Sequence, residues 1–298
     1  MGFKATTIEQ QIEKLKDRNM VMDLGEEKAK EILLDIGYYR LGFYWNPFEI
    51  DKEHNLKELT KFSDVVKLYY LDSDLKHILY KALNRIEINF KTQLIYHVSN
   101  YYDKNPTWFV DKKVVSPKFV KGFPKIYSES FKQNNKPIKN HHNKHPNDIY
   151  APAWKTLEYL TFGSVIKLLL SLHNQDLQRT IAKQYGIKSL GVFENYLTTI
   201  LFIRNICAHS DLLFDSYTPL GIKSTPIIKI EQSNRHSLFS SIRVICHFLE
   251  EISVNRCKET TEKIDKLFAE FADNELIKSI IENKIGYDFK KSNYINRG

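Results

Sequence analysis

From Leu75 to Leu94 the chain repeats one interval. Leu75, Ile78, Leu79, Ala82, Ile86, Phe90 and Leu94 recur every three or four residues, the period of an α-helix buried along one face. A half-buried strand would alternate at two, so this stretch commits the chain to helical packing. The same spacing returns along 7–19, where Ile8, Ile12 and Leu15 share a face behind Thr6 or Thr7 as N-cap. It returns again along 26–36, 151–172, 175–185, 189–210, 236–254 and 258–283. The span 62–102 reads as two helices, the second beginning near Asp74. Residues 37–49 are aromatic and punctuated by Gly37, Gly42 and Pro47, which predicts a compact turn or short extended piece. Residues 217–230, with β-branched side chains and two prolines, read as a short strand or none. The expectation is an all-α bundle with short connections.

The block 103–150 departs from this pattern. Pro106, Pro117, Pro124, Pro137 and Pro146 and a polar run, KQNNKPIKNHHNKHPND, predict a loop-rich insertion with one short helix, too irregular to be a domain of its own. It is also where the charge lies. The chain carries a formal +8, and residues 112–146 hold nine lysines against the single acid Glu129, a net +8 within 35 residues. Concentrated positive charge captures polyanions. Phe119, Phe123, Tyr127 and Phe131 interleave with the lysines, so they either stack on unpaired bases or pack the insertion onto the body. Lys118, Lys121, Lys125, Lys136, Lys139 and His142 are the candidate RNA contacts here. Arg85, on the 74–102 helix with His97, is a further candidate beside the plain reading of a helix-surface residue. The cluster HHNKH (141–145) lacks a cysteine or carboxylate at ligand spacing, and its lysines repel a cation, so exposed loop histidines are expected rather than a metal site.

Other classes find no support. No run of roughly 18 apolar residues is present, so no membrane helix is expected. The first residues turn polar at once, without the apolar stretch of a signal peptide. Three cysteines, Cys207, Cys246 and Cys257, show no CxxC spacing, and the odd count points to a reducing, cytoplasmic setting. GxxxxGK[ST], GxGxxG and GxSxG are all missing, which leaves ATP, dinucleotide and serine-hydrolase chemistry unsupported.

One segment breaks its own rule. With Phe193 at zero and about 100° per residue, Leu197 falls at about 40°, Ile200 at about 340° and Arg204 at about 20°, so an arginine stands in the apolar stripe. A buried arginine cannot shed its charge, so it must pair with a carboxylate or face a polyanion. Glu87, Glu158 and Glu194 are the candidate partners. His209 falls at about 160° on the same wheel, away from Arg204, so a joint site requires the helix to end or distort near 206–210.

The segment FENYLTTILFIRNICAHSDLLFD (193–215) resembles the R-x4-6-H stretch of HEPN-domain ribonucleases, including the polar Asn205 after the arginine. LLDIGYYRLGFYWNPFE (33–49), RIEINFKTQLIYHVS (85–99) and APAWKTLEYLTFGSVIKLL (151–169) resemble segments of the Abi-like (AbiD/AbiF) abortive-infection family of bacterial phage-defence proteins, in the family's order. The resemblance implies a single Abi-like HEPN domain over 1–298, with 103–150 as a basic insertion and 255–298 as a C-terminal helical extension. It implies metal-independent endoribonuclease chemistry, without a cofactor: His209 as general base or acid, Arg204 on the phosphate, Asn205 orienting histidine or RNA. Such nucleases build one site from two motifs and this chain carries one, so a homodimer is implied, as is a restraining partner for a toxin, with a noncoding RNA antitoxin as the expectation. The other readings are a non-catalytic RNA-binding module and an antitoxin or scaffold paired with a nucleotidyltransferase.

Overall fold

A computed structural model describes residues 5–290 of the chain. The expected all-α fold is what it shows: fourteen α-helices and, among the described residues, isolated bridges in place of any strand. The segment 217–230 accordingly holds no strand. The last eight residues of the 255–298 extension lie outside the described residues.

Helix α1 (Ile8–Asp17) starts at Thr7, whose hydroxyl accepts from the Gln10 amide while the Gln10 side chain accepts from the Thr7 amide. Helix α2 (Glu26–Ile36) ends at Gly37, whose φ of 90° lets the chain turn directly into α3 (Tyr38–Trp45). The aromatic 37–49 segment is therefore helical rather than extended. Its spacing aims Leu41, Tyr44 and Trp45 into the core, and Pro47 falls in the 3₁₀ turn after Trp45, where no helix amide is needed.

Helix α4 (Phe62–Tyr101) corrects the two-helix reading of 62–102. It runs unbroken for 40 residues, about 60 Å at about 1.5 Å per residue, because no Gly or Pro interrupts it. The helix runs straight through Asp74, where a second helix is expected to begin. Phe62, Leu75, Leu79, Ile86, Phe90 and Leu94 are fully buried, and the later helices pack around this axis.

The insertion is also more ordered than expected. It holds α5 (Pro117–Ile126), α6 (Glu129–Asn134) and α7 (Lys136–Lys144). Pro117 and Pro137 open helices at their first turns, where a missing amide costs nothing, and Ser116 and Ser128 cap α5 and α6. Phe123 and Tyr127 are buried, with Phe119 and Phe131 half-buried against the same core, so the interleaved rings pack the insertion down. The 151–172 segment divides into α8 (Ala153–Thr156), a 3₁₀ turn, and α9 (Phe162–Leu170), capped by Thr161. Helices α10 (Gln175–Lys183), α11 (Leu190–His209) and α12 (Leu238–Ile252) fall where expected. The final 258–283 span is two helices, α13 (Val254–Ala269) and α14 (Glu275–Ile285), the second capped by Asn274.

Candidate active site

Helix α11 lies against α4 and α12. In its first half Phe193, Leu197 and Ile200 are buried, as the wheel requires. Towards its end the buried positions shift to Thr199, Ile203 and Ile206, at about 240°, about 280° and about 220° on the wheel. Arg204, at about 20°, is therefore at the edge of the core and not in its middle. Ala208 at about 60°, Asn205 at about 120° and His209 at about 160° are exposed. Arg204 and His209 thus bound one open arc of the helix, with the small Ala208 and the amide of Asn205 between them. No hydrogen bond or ion pair joins Arg204 to His209, and α11 continues through His209 without the early end that a direct contact demands.

The partner of Arg204 is Glu87 of α4, and neither Glu158 nor Glu194. Arg204 Nε donates to Glu87 Oε2 at 3.1 Å, while Glu87 Oε1 lies 3.0 Å from Lys91 Nζ. Two cations share one carboxylate, so the cluster keeps a net positive charge. Lys91, itself buried, also donates to the Glu158 carbonyl at 3.1 Å, which satisfies the backbone where α8 gives way to the turn before α9. Arg204 retains 27% side-chain exposure, and its Nη1 lies 3.5 Å from Asn205 Oδ1. The guanidinium is therefore braced along one edge and open along the other.

Beyond His209 the chain is clamped. Ser210 takes a left-handed φ of 55°, an unfavourable region for a residue with a Cβ, and its carbonyl accepts from both terminal nitrogens of Arg40 at 3.2 Å each. Lys76 Nζ donates to the Asp211 carbonyl at 3.3 Å. Asp72, fully buried, accepts from the amides of Leu213 at 3.1 Å and Phe214 at 2.6 Å, from the Tyr44 hydroxyl at 2.7 Å, and pairs with Lys76 at 2.9 Å. This holds the end of α11 to α3 and α4. A cavity of about 410 Å³ opens beside it, lined by Arg40, Lys76 and His77 with Cys207, Ala208 and Ser210. Burial pushes the Cys207 thiol up to about 12, so it stays protonated there.

Arg40, Lys76 and His77 were not among the sequence candidates. Arg40 sits inside the GYYRLGFYW segment, but its contact with Ser210 spans 170 residues and leaves no local signature. Of the other candidates, Lys118, Lys121, Lys125, Lys136 and Lys139 lie exposed on the insertion. His142 is half-buried, its Nε2 2.9 Å from the Tyr127 hydroxyl, which accepts from the Ala151 amide. The HHNKH histidines lie on α7 and at its end rather than in a loop. His141 is buried, 3.0 Å from Asp148, because Ile138 and His141 share the inward face of α7. Arg85 lines a separate cleft between α4 and α13.

The profile of the family described as Abi-like protein matches residues 31–215, which includes all of α3, α4 and α11 and the clamp after His209. Among curated proteins and among solved structures, nothing matches the chain. Among the described residues no helix is long and apolar enough to cross a membrane.

Proposed function

This chain belongs to the Abi-like protein family, which points to abortive infection, a phage-defence response, and we propose that within that response it is a metal-independent endoribonuclease toxin acting through Arg204, Asn205 and His209. The observation that carries this reading is the shared carboxylate. Arg204 and Lys91 both rest on Glu87, which leaves unneutralised positive charge on a half-exposed arginine at the rim of the motif. Such a charge is suited to a phosphate. His209 stands exposed on the same arc, within reach of a reacting group brought by the substrate.

In this mechanism the RNA 2′-hydroxyl attacks the adjacent phosphorus and the bond to the 5′ oxygen breaks. The products are a 2′,3′-cyclic phosphate and a free 5′-hydroxyl. His209 takes the 2′ proton, and a proton returns to the leaving oxygen. Arg204 holds the phosphate and offsets charge that develops on it. Asn205 orients the histidine or the RNA. The open arc of α11 faces its copy across a two-fold axis in a homodimer, so that two motifs complete one site. The toxin acts in the cytoplasm and is restrained by a noncoding RNA.

The test is cleavage of labelled single-stranded RNA in excess EDTA, after removal of co-purified RNA, by the wild type beside Arg204→Ala and His209→Ala. The reading expects cleavage by the wild type alone, with 2′,3′-cyclic phosphate ends. Binding without cleavage by all three proteins replaces it with an RNA-binding module.

A further inference from the structure

Along α4, His77, Lys81 and Arg85 follow at four-residue intervals, so they stack on one face about 6 Å apart. Helix α13 crosses this face and brings Arg256 and Lys263 to it. The two helices enclose a cleft of about 230 Å³ floored by apolar side chains. Glu259 is the carboxylate in its lining. Among the described residues no ion pair joins it or any other acid to Lys81, Arg85, Arg256 or Lys263. Four permanent cations thus meet one acid in a concave site.

Arg85 makes the site more than a solvated basic surface. Its Nε is buried and has no hydrogen-bond partner. A buried guanidinium N–H without an acceptor is costly, so Arg85 stands in the cleft wall with a donor that the protein itself leaves unsatisfied. His77 lines this cleft and also the cavity beside Cys207, Ala208 and Ser210, so the two openings adjoin at one residue. A row of basic side chains then runs from the end of α11, through Arg40, Lys76 (paired with Asp72) and His77, to Lys81, Arg85 and α13.

We propose that the α4–α13 cleft binds backbone phosphates of the single-stranded RNA whose reacting linkage lies at Arg204 and His209. This rests on the RNA reading of that motif. A strand fits better than a free nucleotide because the cations form a row that leads to the motif instead of converging on one point. Arg256 and Lys263 lie beyond the family-matched residues 31–215, so the α13 wall of the cleft is contributed by a segment that the family profile does not cover.

The experiment uses the full chain carrying His209→Ala, to suppress cleavage, with a fluorescein-labelled oligouridylate followed by anisotropy across a potassium chloride series. Arg256→Glu with Lys263→Glu reverses two exposed charges on α13, and Lys81→Gln alters the opposite wall. Melting temperatures show that each variant is folded. Expected are at least about a tenfold loss of affinity in the double variant and a log–log salt dependence shallower by about 1.4, for two lost phosphate contacts. Lys81→Gln flattens it by about half as much. Unchanged affinity and slope in both variants overturn the proposal. Uridine monophosphate is titrated in parallel, and variants that lose it while binding the oligomer normally assign the cleft to a free nucleotide and also overturn it. The readout is binding, so the two failures are distinguishable: a wild type that binds the oligomer through this cleft but does not cleave it defeats the nuclease reading and leaves the cleft an RNA-binding site, whereas a wild type that cleaves while both variants bind normally overturns the cleft alone.

Discussion

Arg204 and Lys91 hold opposite oxygens of Glu87, at 3.1 Å and 3.0 Å, and the three residues do not depend on one another equally. Lys91 is buried, while Arg204 is partly open to solvent. Removing Arg204 leaves the buried Glu87–Lys91 pair intact. Removing Glu87 strands a buried ammonium beside a guanidinium. Glu87→Ala should therefore cost about 3–5 kcal/mol of stability, and Arg204→Ala no more than about 1 kcal/mol. Urea unfolding of both variants measures the difference. Equal losses would mean that Arg204 is a structural brace and that any activity defect on its removal reports unfolding.

Asp72 makes the second asymmetric prediction. Its carboxylate is the acceptor for two buried amides and the Tyr44 hydroxyl, and the counter-charge of Lys76. Asp72→Ala removes all four partners' interactions at once, which should destabilise the chain by more than about 3 kcal/mol. The milder Asp72→Asn keeps one acceptor oxygen and should lose less. Amide exchange at Leu213 and Phe214 gives the local readout: protection there should fall before protection in the middle of α4. Uniform loss of protection would place the effect on global folding instead of on the clamp behind His209.

How far the sequence reveals this molecule depends on the range of the interaction. Helical spacing located α11 at 189–210 against the observed Leu190–His209, because burial of Phe193, Leu197 and Ile200 is a local pattern. It splits α4 near Asp74, whereas two of the four groups that make a buried Asp72 tolerable lie 141 and 142 residues away and a third lies 28 residues away, so they leave no local signal. It offered three carboxylates for Arg204, since a pairing across 117 residues has no period. It puts Arg204 in the core because a fixed wheel ignores how the buried face drifts along α11, from Phe193, Leu197 and Ile200 to Thr199, Ile203 and Ile206. In the insertion, prolines look like breakers in sequence, whereas Pro117 and Pro137 begin helices. Arg204, Asn205 and His209 were named from the sequence, while Arg40, Lys76 and His77, which surround the end of their helix, were not.

The insertion supplies a test of the basic patch. Lys118, Lys121 and Lys125 are exposed on α5, whose buried anchor is Phe123. Replacing these lysines with glutamate should leave stability within about 0.5 kcal/mol, because surface charges away from packed features contribute little. Any RNA that co-purifies with the wild type should drop sharply in the triple variant if this patch seats a restraining RNA. Phe123→Ala provides the contrast: it should cost about 3–5 kcal/mol through lost packing. Triple-variant protein that retains its RNA load would remove the insertion from the RNA-binding surface.

Cys207 lies one helical turn from Arg204 and lines the cavity at the end of α11, which makes it a convenient reporter. Burial pushes its thiol up to about 12, with the nearby Asp72 carboxylate acting in the same direction and Lys76 opposing. The sign follows directly: a raised value favours the neutral thiol, so at pH 8 only about one molecule in 10⁴ is thiolate. Thiolate is the nucleophile, and iodoacetamide should therefore leave Cys207 unmodified at pH 8 in the folded protein. In urea the same residue should react as an ordinary cysteine. Peptide mass analysis reads both states. Asp72→Ala frees the clamp and opens this end of the helix, so labelling of Cys207 should accelerate in that variant under native conditions. Rapid alkylation of the native wild type would show that the end of α11 opens on its own, and that the arc between Arg204 and His209 is not preorganised for a substrate.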